Sequence, residues 1–493
     1  MQRRQVGPGE LAGAVGELLD NGFRLALVAA HDDGDAIRVV YLLLAGGPDR
    51  RVELTLTTDA GSPSVPSLGD LSIPAGRFER EMMDLYGVVP VGHPQPRRLV
   101  SHAHWPQDWH PMRRDAGCPP EFATVGGFPF VTVDGTGVYE IPVGPVHAGL
   151  IEPGHFRFSV IGESVLRLKA RLWFVHRGIE KLFEGRPVGG GVELAERISG
   201  DSSAAHALAY CLAVEDALGI EVPEPVHGLR ALLVELERLY NHATDLGALA
   251  NDVGFALANA HAQRVRECVL RINGRVTGHR LLRGAIRPGG VVLQELPDPG
   301  ELQALAGEVA EISELTLGNP VIYDRFADTA VLRRDDARAL GCLGYVARAS
   351  GISTDARCDH PTTALPVVPV SRSEGDVLAR YTVRRDEFAA SVTLIAALID
   401  RHSGRLDGPL EGPLEIRSPL PAAGTSGVGI VEGWRGTVVH RVEVEGGVVT
   451  RCKVVDPSWF NWPALPVAMA DTIVPDFPLA NKSFNLSYAG NDL

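Results

Sequence analysis

Three successive segments, 202–218, 227–247 and 253–276, carry apolar residues at three- and four-residue spacing and end on Gly or Pro, which fixes the middle of the chain as helical. The same spacing predicts further helices at 299–317, 335–350 and 386–401. Strand signals lie on both sides. Between Phe23 and Thr58 the runs RLALVAA, IRVVYLLLA and RVELTLTT alternate or stay apolar between Asp, Gly and Pro. HFRFSVIGESVLRLKARLWF reads as a hairpin turning at Gly162-Glu163, and LEIRSPL, GVGIVEGW, GTVVHRVEVEGG and VVTRCKVV return the last hundred residues to strands. A Pro-broken tail follows. The Gly- and Pro-rich stretch after Asp115 has little helical period. The expected class is therefore α+β: a small α+β domain at 1–115, a linker at 116–138, and a mainly helical domain with β-hairpins at 139–493.

At 493 residues the chain exceeds what one hydrophobic core usually fills, which agrees with two domains. A formal charge of -14 with scattered basic residues repels phosphate backbones, so no nucleic-acid partner is expected. No apolar stretch approaches a membrane span of about 18 residues, and MQRRQVGPGE lacks the apolar core of a secretory signal. A cytoplasmic chain that reaches the membrane only through partners is expected. Cys118, Cys211, Cys268, Cys342, Cys358 and Cys452 form no CxxC pair, so they read as reduced core thiols and no iron-sulfur cluster is assigned to this chain. SGVGIVEG misses the dinucleotide fingerprint by one residue and reads as a strand turn.

Two groups of motifs carry a family resemblance. RFEREMMDLYGVVPVGHPQPRRLVSHAHWPQDWHPMRRD, ending at Asp115, resembles the end of the complex I subunit of about 30 kDa. VGPVHAGLIEPGHFRF, FVHRGIEKLFEG, AYCLAVEDALGIEVPE, ELERLYNHATDLGALANDVGF, GHRLLRGAIRPGGV and NKSFNLSYAGNDL then follow in the order of the complex I subunit of about 49 kDa and of its relatives, the large subunits of group 4 nickel-iron hydrogenases such as formate hydrogenlyase. Fusion of the two subunits is itself a feature of that hydrogenase type. The resemblance implies a large subunit that docks an iron-sulfur small subunit and sits above antiporter-like membrane subunits on the inner face of the cell membrane. It further implies coupling of electron arrival at the partner's cluster to proton chemistry, with quinone as a candidate acceptor.

In the hydrogenase branch four thiolates hold nickel and iron, from an RxCGxC block and a DPCxxC block. Here those blocks read RISGDSSAAH and DPSWFN, so Ser199, Ser202, Ser458 and Asn461 stand where the cysteines would. Hydroxyl and amide oxygens are hard, weak ligands for low-spin nickel, and no nickel-iron centre or other metal is expected. By resemblance, Glu152 stands at a proton-transfer glutamate and Arg435 at an arginine aimed at the metal site; Glu152 alone reads as a solvated loop acid. Arg177 and His242 match residues facing the partner's cluster. Glu180 matches an acid near the metal, or is simply ion-paired with Lys181 or Arg177. Glu235, Arg238 and His242 share one helix face, which without the resemblance would be a solvated salt-bridge stripe. Asp252 fits the third quinone-site residue of complex I. Gly200 replaces the tyrosine, and the hairpin histidine falls at Glu152-Pro153, with His147 and His155 close by. Two alternatives stay open: a working formate hydrogenlyase-type hydrogenase, and a non-catalytic structural subunit.

Overall fold

The structure, a computed structural model, describes residues 1–123, 127–147, 151–402 and 424–493. The apolar alternation of the N-terminal runs is satisfied by a sheet of β1 (Gln2–Gln5), β2 (Arg24–Asp32), β3 (Ala36–Ala45) and β4 (Arg50–Asp59), with α1 (Leu11–Asp20) between the first two. The order is β1-β4-β3-β2, antiparallel except where β1 runs parallel to β4. β1 is absent from the sequence expectation because its QRRQ segment has no apolar residue and lies fully exposed at the edge. β5 (Ser64–Pro66) precedes α2 (Ile73–Tyr86), which Ser72 caps and Gly87 ends at φ +73. β6 (Val89–Val91) pairs with β5.

Beyond the 116–138 stretch, β7 (Val138–Val143), β8 (His155–Ile161) and β9 (Ser164–Arg171) form an antiparallel sheet. Ile161 pairs with Ser164, so the hairpin turns at Gly162-Glu163 as its sequence predicts. The helical part follows as α3 (Ile179–Phe183), α4 (Gly191–Ala195), α5 (Ser203–Leu218), α6 (Glu224–Asp252) and α7 (Ala256–Thr277). The short ladder β10 (Ile286–Arg287) with β11 (Gly290–Val291) leads to α8 (Pro299–Leu317), α9 (Pro320–Phe326), α10 (Arg334–Ala339), α11 (Gly344–Ala349), α12 (Ala356–Asp359) and α13 (Val377–His402). A final sheet, β12 (Thr425–Gly433), β13 (Gly436–Glu445) and β14 (Val448–Val455), precedes α14 (Ser458–Asn461), α15 (Ala464–Ala468), α16 (Phe477–Phe484) and α17 (Tyr488–Asp492). The tail is thus a string of short helices.

Several expectations need correction. α6 runs through Gly247, which reads as a helix end but instead lets α7 approach: a Cβ there would stand 2.6 Å from the Ala262 Cβ. The single helix expected at 335–350 is two, because Gly341 and Gly344 adopt φ +68 and +63 between them. α13 starts at Val377 rather than 386, with Asp376 accepting from the Ala379 amide at 2.7 Å. The strand expected at GVGIVEGW forms as β12, so SGVGIVEG is strand body rather than a turn, and Gly427 and Gly429 face α5 so closely that a Cβ would meet backbone at 2.2 and 1.8 Å. Cys118 and Cys358 are exposed and Cys268 is half-buried, so the core reading of the thiols holds fully only for Cys211, Cys342 and Cys452. The LEIRSPL strand lies outside the described residues.

Two buried apolar clusters organise these elements. One joins the N-terminal sheet and α2 to the β8–β9 hairpin and to the C-terminal helices. The other fills the space among α5, α6, α7, α8, α13 and the β12–β14 sheet. Where they meet, β12, α5 and α14 hold the site described next.

Candidate functional site

The two-residue turn closing the β12–β13 hairpin is Trp434-Arg435, flanked by the pair Gly433 and Gly436. It projects Arg435 over the segment leading into α5. Both terminal guanidinium nitrogens bond Asp201, at 2.6 and 2.7 Å, and Nε donates to the Asn485 carbonyl at 2.7 Å. The Trp434 ring lies 4.0 Å from the guanidinium. Burial alone would raise the Asp201 pKa, but the charge and bidentate bonds of Arg435 outweigh it and hold the carboxyl below its ordinary value.

Three of the four cysteine-replacing positions converge on this ion pair. Ser199 Oγ bonds Asp201 at 2.9 Å and lies 2.8 Å from Ser487 Oγ, while Ser202 receives the Trp434 indole N–H at 3.1 Å. Ser458 Oγ accepts from the Ser487 amide at 2.9 Å. Asn461, one turn further along α14, accepts from the Leu343 amide at 2.9 Å and donates to its carbonyl at 3.1 Å. Leu343 leads into Gly344, where a Cβ would stand 1.9 Å from the Arg435 carbonyl oxygen. The fourth position is therefore a brace under the turn that carries Arg435. Each of these oxygens is committed to a protein partner, and hydroxyl and amide donors of this kind do not fit a nickel-iron centre. Among the described residues no group of three or more His, Cys, Asp or Glu is disposed to hold a metal ion.

Behind α14, Asp456 bonds His206 Nε2 at 3.1 Å, and His206 Nδ1 lies 3.0 Å from His440 Nε2. All three are buried. Burial, and then the adjacent His206, press the His440 pKa well down, so the His440 ring is held neutral.

Arg177 closes the other side. Its guanidinium donates to the carbonyls of Arg197 and Ile198, immediately before Ser199, and to that of Ala489. Glu152 accepts from the Ala489 amide at 3.1 Å. Asp492, missed in the sequence, accepts from the Val175 amide at 3.0 Å, and its backbone carbonyl meets His176 Nδ1 at 2.7 Å. Burial pushes the Asp492 carboxyl up to about 6, with the nearby Glu152 charge adding to the shift and hydrogen bonds from Asn491 and the backbone opposing it. A cavity of about 370 Å³ opens here, with Trp105, Trp109, His176, Arg177 and Asp492 in its wall.

The structure thus brings Glu152, Arg177, Ser199, Ser202, Ser458 and Arg435 into one region. Glu180 borders the cavity but pairs with neither Lys181 nor Arg177; Arg451 at 2.8 Å and Lys453 at 3.0 Å hold it instead. Both come from β14, too distant in sequence to be foreseen. The Glu235, Arg238 and His242 face is buried rather than solvated, because α13 covers it: His242 Nε2 bonds Glu387 at 2.8 Å. Its ring lies 6.1 Å from Trp434, beneath the site and not at the surface. Asp252 is exposed at the end of α6, and no direct bond joins it to Arg435 or Asp201 among the described residues. His147 and His155 each turn one ring nitrogen to a backbone carbonyl, of Gly154 at 2.8 Å and Gly144 at 3.1 Å. The sequence singles out neither Asp201 nor Ser487, because nothing in it shows that RISGDSS and NLSYAGNDL meet.

Three family models match. Residues 5–121 match the respiratory-chain NADH dehydrogenase 30 Kd subunit, 252–419 its 49 Kd subunit, and 177–250 the nickel-dependent hydrogenase. Formate hydrogenlyase subunit 5 of Escherichia coli (strain K12) is 32% identical, covering 92% of this chain and 81% of that one. Hydrogenase-4 component G of the same organism is 34% identical over 92% and 80%, and the C/D subunit of the NADH-quinone oxidoreductase of Bacteroides fragilis is 31% identical over 82% of both. Among solved structures, a chain of an archaeal membrane-bound sulfane sulfur reductase superposes with TM-score 0.65 at 25% identity, covering 72% of this chain and 98% of its own.

Proposed function

The chain belongs to the large-subunit family shared by complex I C/D subunits and formate hydrogenlyase-type hydrogenases, and on that premise we propose a large subunit of a membrane-associated complex I-like oxidoreductase, coupling a partner's iron-sulfur cluster to proton chemistry without a nickel-iron centre of its own. The observation that carries this reading is the set Ser199, Ser202, Ser458 and Asn461, closed upon Asp201, Ser487 and Leu343. Arg177 is exposed beside the exposed Phe174 and Leu182, a mixed cationic and apolar face suited to docking the cluster-bearing subunit. Among the described residues no helix is long and apolar enough to cross a membrane, so attachment to the inner face of the membrane falls to antiporter-like and other membrane subunits. Glu152 and Asp492 supply carboxyls next to that face. A quinone is the acceptor class to test first, although His147 and His155 are turned to backbone carbonyls and offer incomplete headgroup contacts.

Asp492 sets the test. A buried carboxyl with a pKa of about 6 holds its proton below that pH and releases it above. With reduced viologen dye as donor and a short-chain quinone as acceptor, the rate of the purified complex is expected to fall between about pH 5 and 7 as Asp492 loses its proton. Asp492→Asn is expected to be slower, roughly tenfold or more at pH 6, and to lack that limb. An assembled Asp492→Asn complex with the wild-type rate and profile would instead fit a subunit that only supports the assembly.

A further inference from the structure

A second cavity, of about 340 Å³, lies between α2, the Arg97–Leu99 segment, β9 and the Phe128–Val131 stretch. Six cationic side chains line it: Arg77, Arg80, Arg97, Arg167, Lys169 and Arg171. Among the described residues no Asp or Glu does. The hydrogen bonds of Arg80, Arg97 and Arg171 go to neutral acceptors: Arg80 to the carbonyls of Arg97 and Arg98, Arg97 to Gln95, and Arg171 to the carbonyls of Leu99, Val100 and Ser101. Arg77 donates to the Trp459 carbonyl and, at 3.5 Å, to Asn491. Lys169 has a carboxylate partner, Glu140 at 2.5 Å, outside the cavity wall. Asp84 stands behind the loop, where three backbone amides occupy it. Arg171 is only 3% exposed, and its Nε has no hydrogen-bond partner.

Gathering like charges in a half-buried space is unfavourable unless something anionic relieves it. The strain is visible: burial first, then the neighbouring guanidinium, lowers Arg77 to about 9 and Arg80 to about 10. Arg171 is likewise lowered to about 10, chiefly by burial. The rest of the wall is apolar, including Phe128, Phe130, Trp173 and Trp462, and Phe128 stacks 4.7 Å from the Arg171 guanidinium. The volume falls at the small end of ligand sites, about 300–1,000 Å³. We propose that this cavity binds a small phosphate-bearing anion with an aromatic or aliphatic body, the phosphate on the arginine cluster and the body on the Phe128 and Trp462 side. Guanidinium forks suit phosphate oxygens, and the aromatic wall suits a ring or an acyl chain.

Two sources offer that chemistry, a soluble nucleotide and an anionic lipid. Calorimetric titration of the purified complex with AMP, with inorganic phosphate and with phosphatidylglycerol vesicles separates them, with phosphatidylcholine vesicles as control. Arg97 and Arg167 are exposed and make no buried contacts, so Arg97→Gln/Arg167→Gln leaves the fold intact. Saturable one-to-one binding of AMP that weakens at least tenfold in the double variant is expected, with inorganic phosphate weaker because it lacks the body. Variant-sensitive binding of phosphatidylglycerol vesicles alone would keep the site and assign it to lipid. Binding of none of the three, or binding equal in the two proteins, would overturn the proposal and leave the arginines as a face for an acidic partner segment.

Discussion

Replacing Arg348 by Met is expected to cost the chain about 3–5 kcal/mol of stability at neutral pH. Arg348 is fully buried, with Nε on Glu387 at 2.7 Å and one terminal nitrogen on Glu432 at 2.8 Å and Asp355 at 3.4 Å. Those three carboxylates come from α13, β12 and the start of α12, so one guanidinium ties three elements together. Burial by itself would push the Glu387 pKa up; Arg348, followed by His242 and Arg238, holds it well below its ordinary value. A group so depressed contributes stability above its unfolded value near 4.5 and loses it as pH falls through the folded value. Without the cation Glu387 and Glu432 become buried acids lacking their main counter-charge. The deficit should therefore be largest near pH 7.5 and narrow as pH falls toward 4.5, because in the variant these buried carboxyls, no longer held ionised by Arg348, take up protons. Urea midpoints of both proteins at pH 7.5 and pH 5 measure this, and equal midpoints at both would show that the network is not what fastens α13 to the sheet.

Gly429→Ala is expected to be nearly as damaging, and to reach the functional site through the backbone. A Cβ at Gly429 would stand 1.8 Å from the Ala209 carbonyl oxygen on α5, a helix backbone atom that no rotamer change can move. The helix must shift away from β12 by more than an ångström, which costs about 3 kcal/mol at the upper end of overpacking effects. β12 continues into the Trp434-Arg435 turn and α5 begins beside Ser202, so the same shift separates Arg435 from Asp201. Lower thermal stability together with loss of electron transfer in the assembled complex is the expected result. A wild-type midpoint in Gly429→Ala would mean that strand and helix are further apart than described.

How much of this was legible in the sequence depended on how local the signal was. The β8–β9 hairpin and α8 follow from period and punctuation alone, because turn residues and helix ends are encoded next to the elements they bound. The errors cluster at glycines. Gly247 reads as a helix end, Gly427 and Gly429 as part of a turn and Gly344 as the interior of a helix, whereas each marks a place where another backbone or helix comes too close for a side chain. Only the tertiary structure separates those two uses. The site was half legible: the substituted blocks named Ser199, Ser202, Ser458 and Asn461 and the resemblance separately named Arg435, while Asp201, Ser487 and Asp492 depend on contacts across more than two hundred residues. His242 shows the opposite failure. Its helix face carries a charged pattern fit for solvent, and only the equally charged face of α13 explains why it is buried.

The central claim is that this large subunit keeps the frame of a hydrogenase site but closes it with hydroxyl and amide groups in place of nickel ligands. Counting nickel and iron per chain in the complex, purified from membranes through a tag on this subunit, tests it most directly. The account predicts iron in the amounts of the partner's clusters and no stoichiometric nickel. One nickel per chain would contradict it and require a ligand set other than Ser199, Ser202, Ser458 and Asn461.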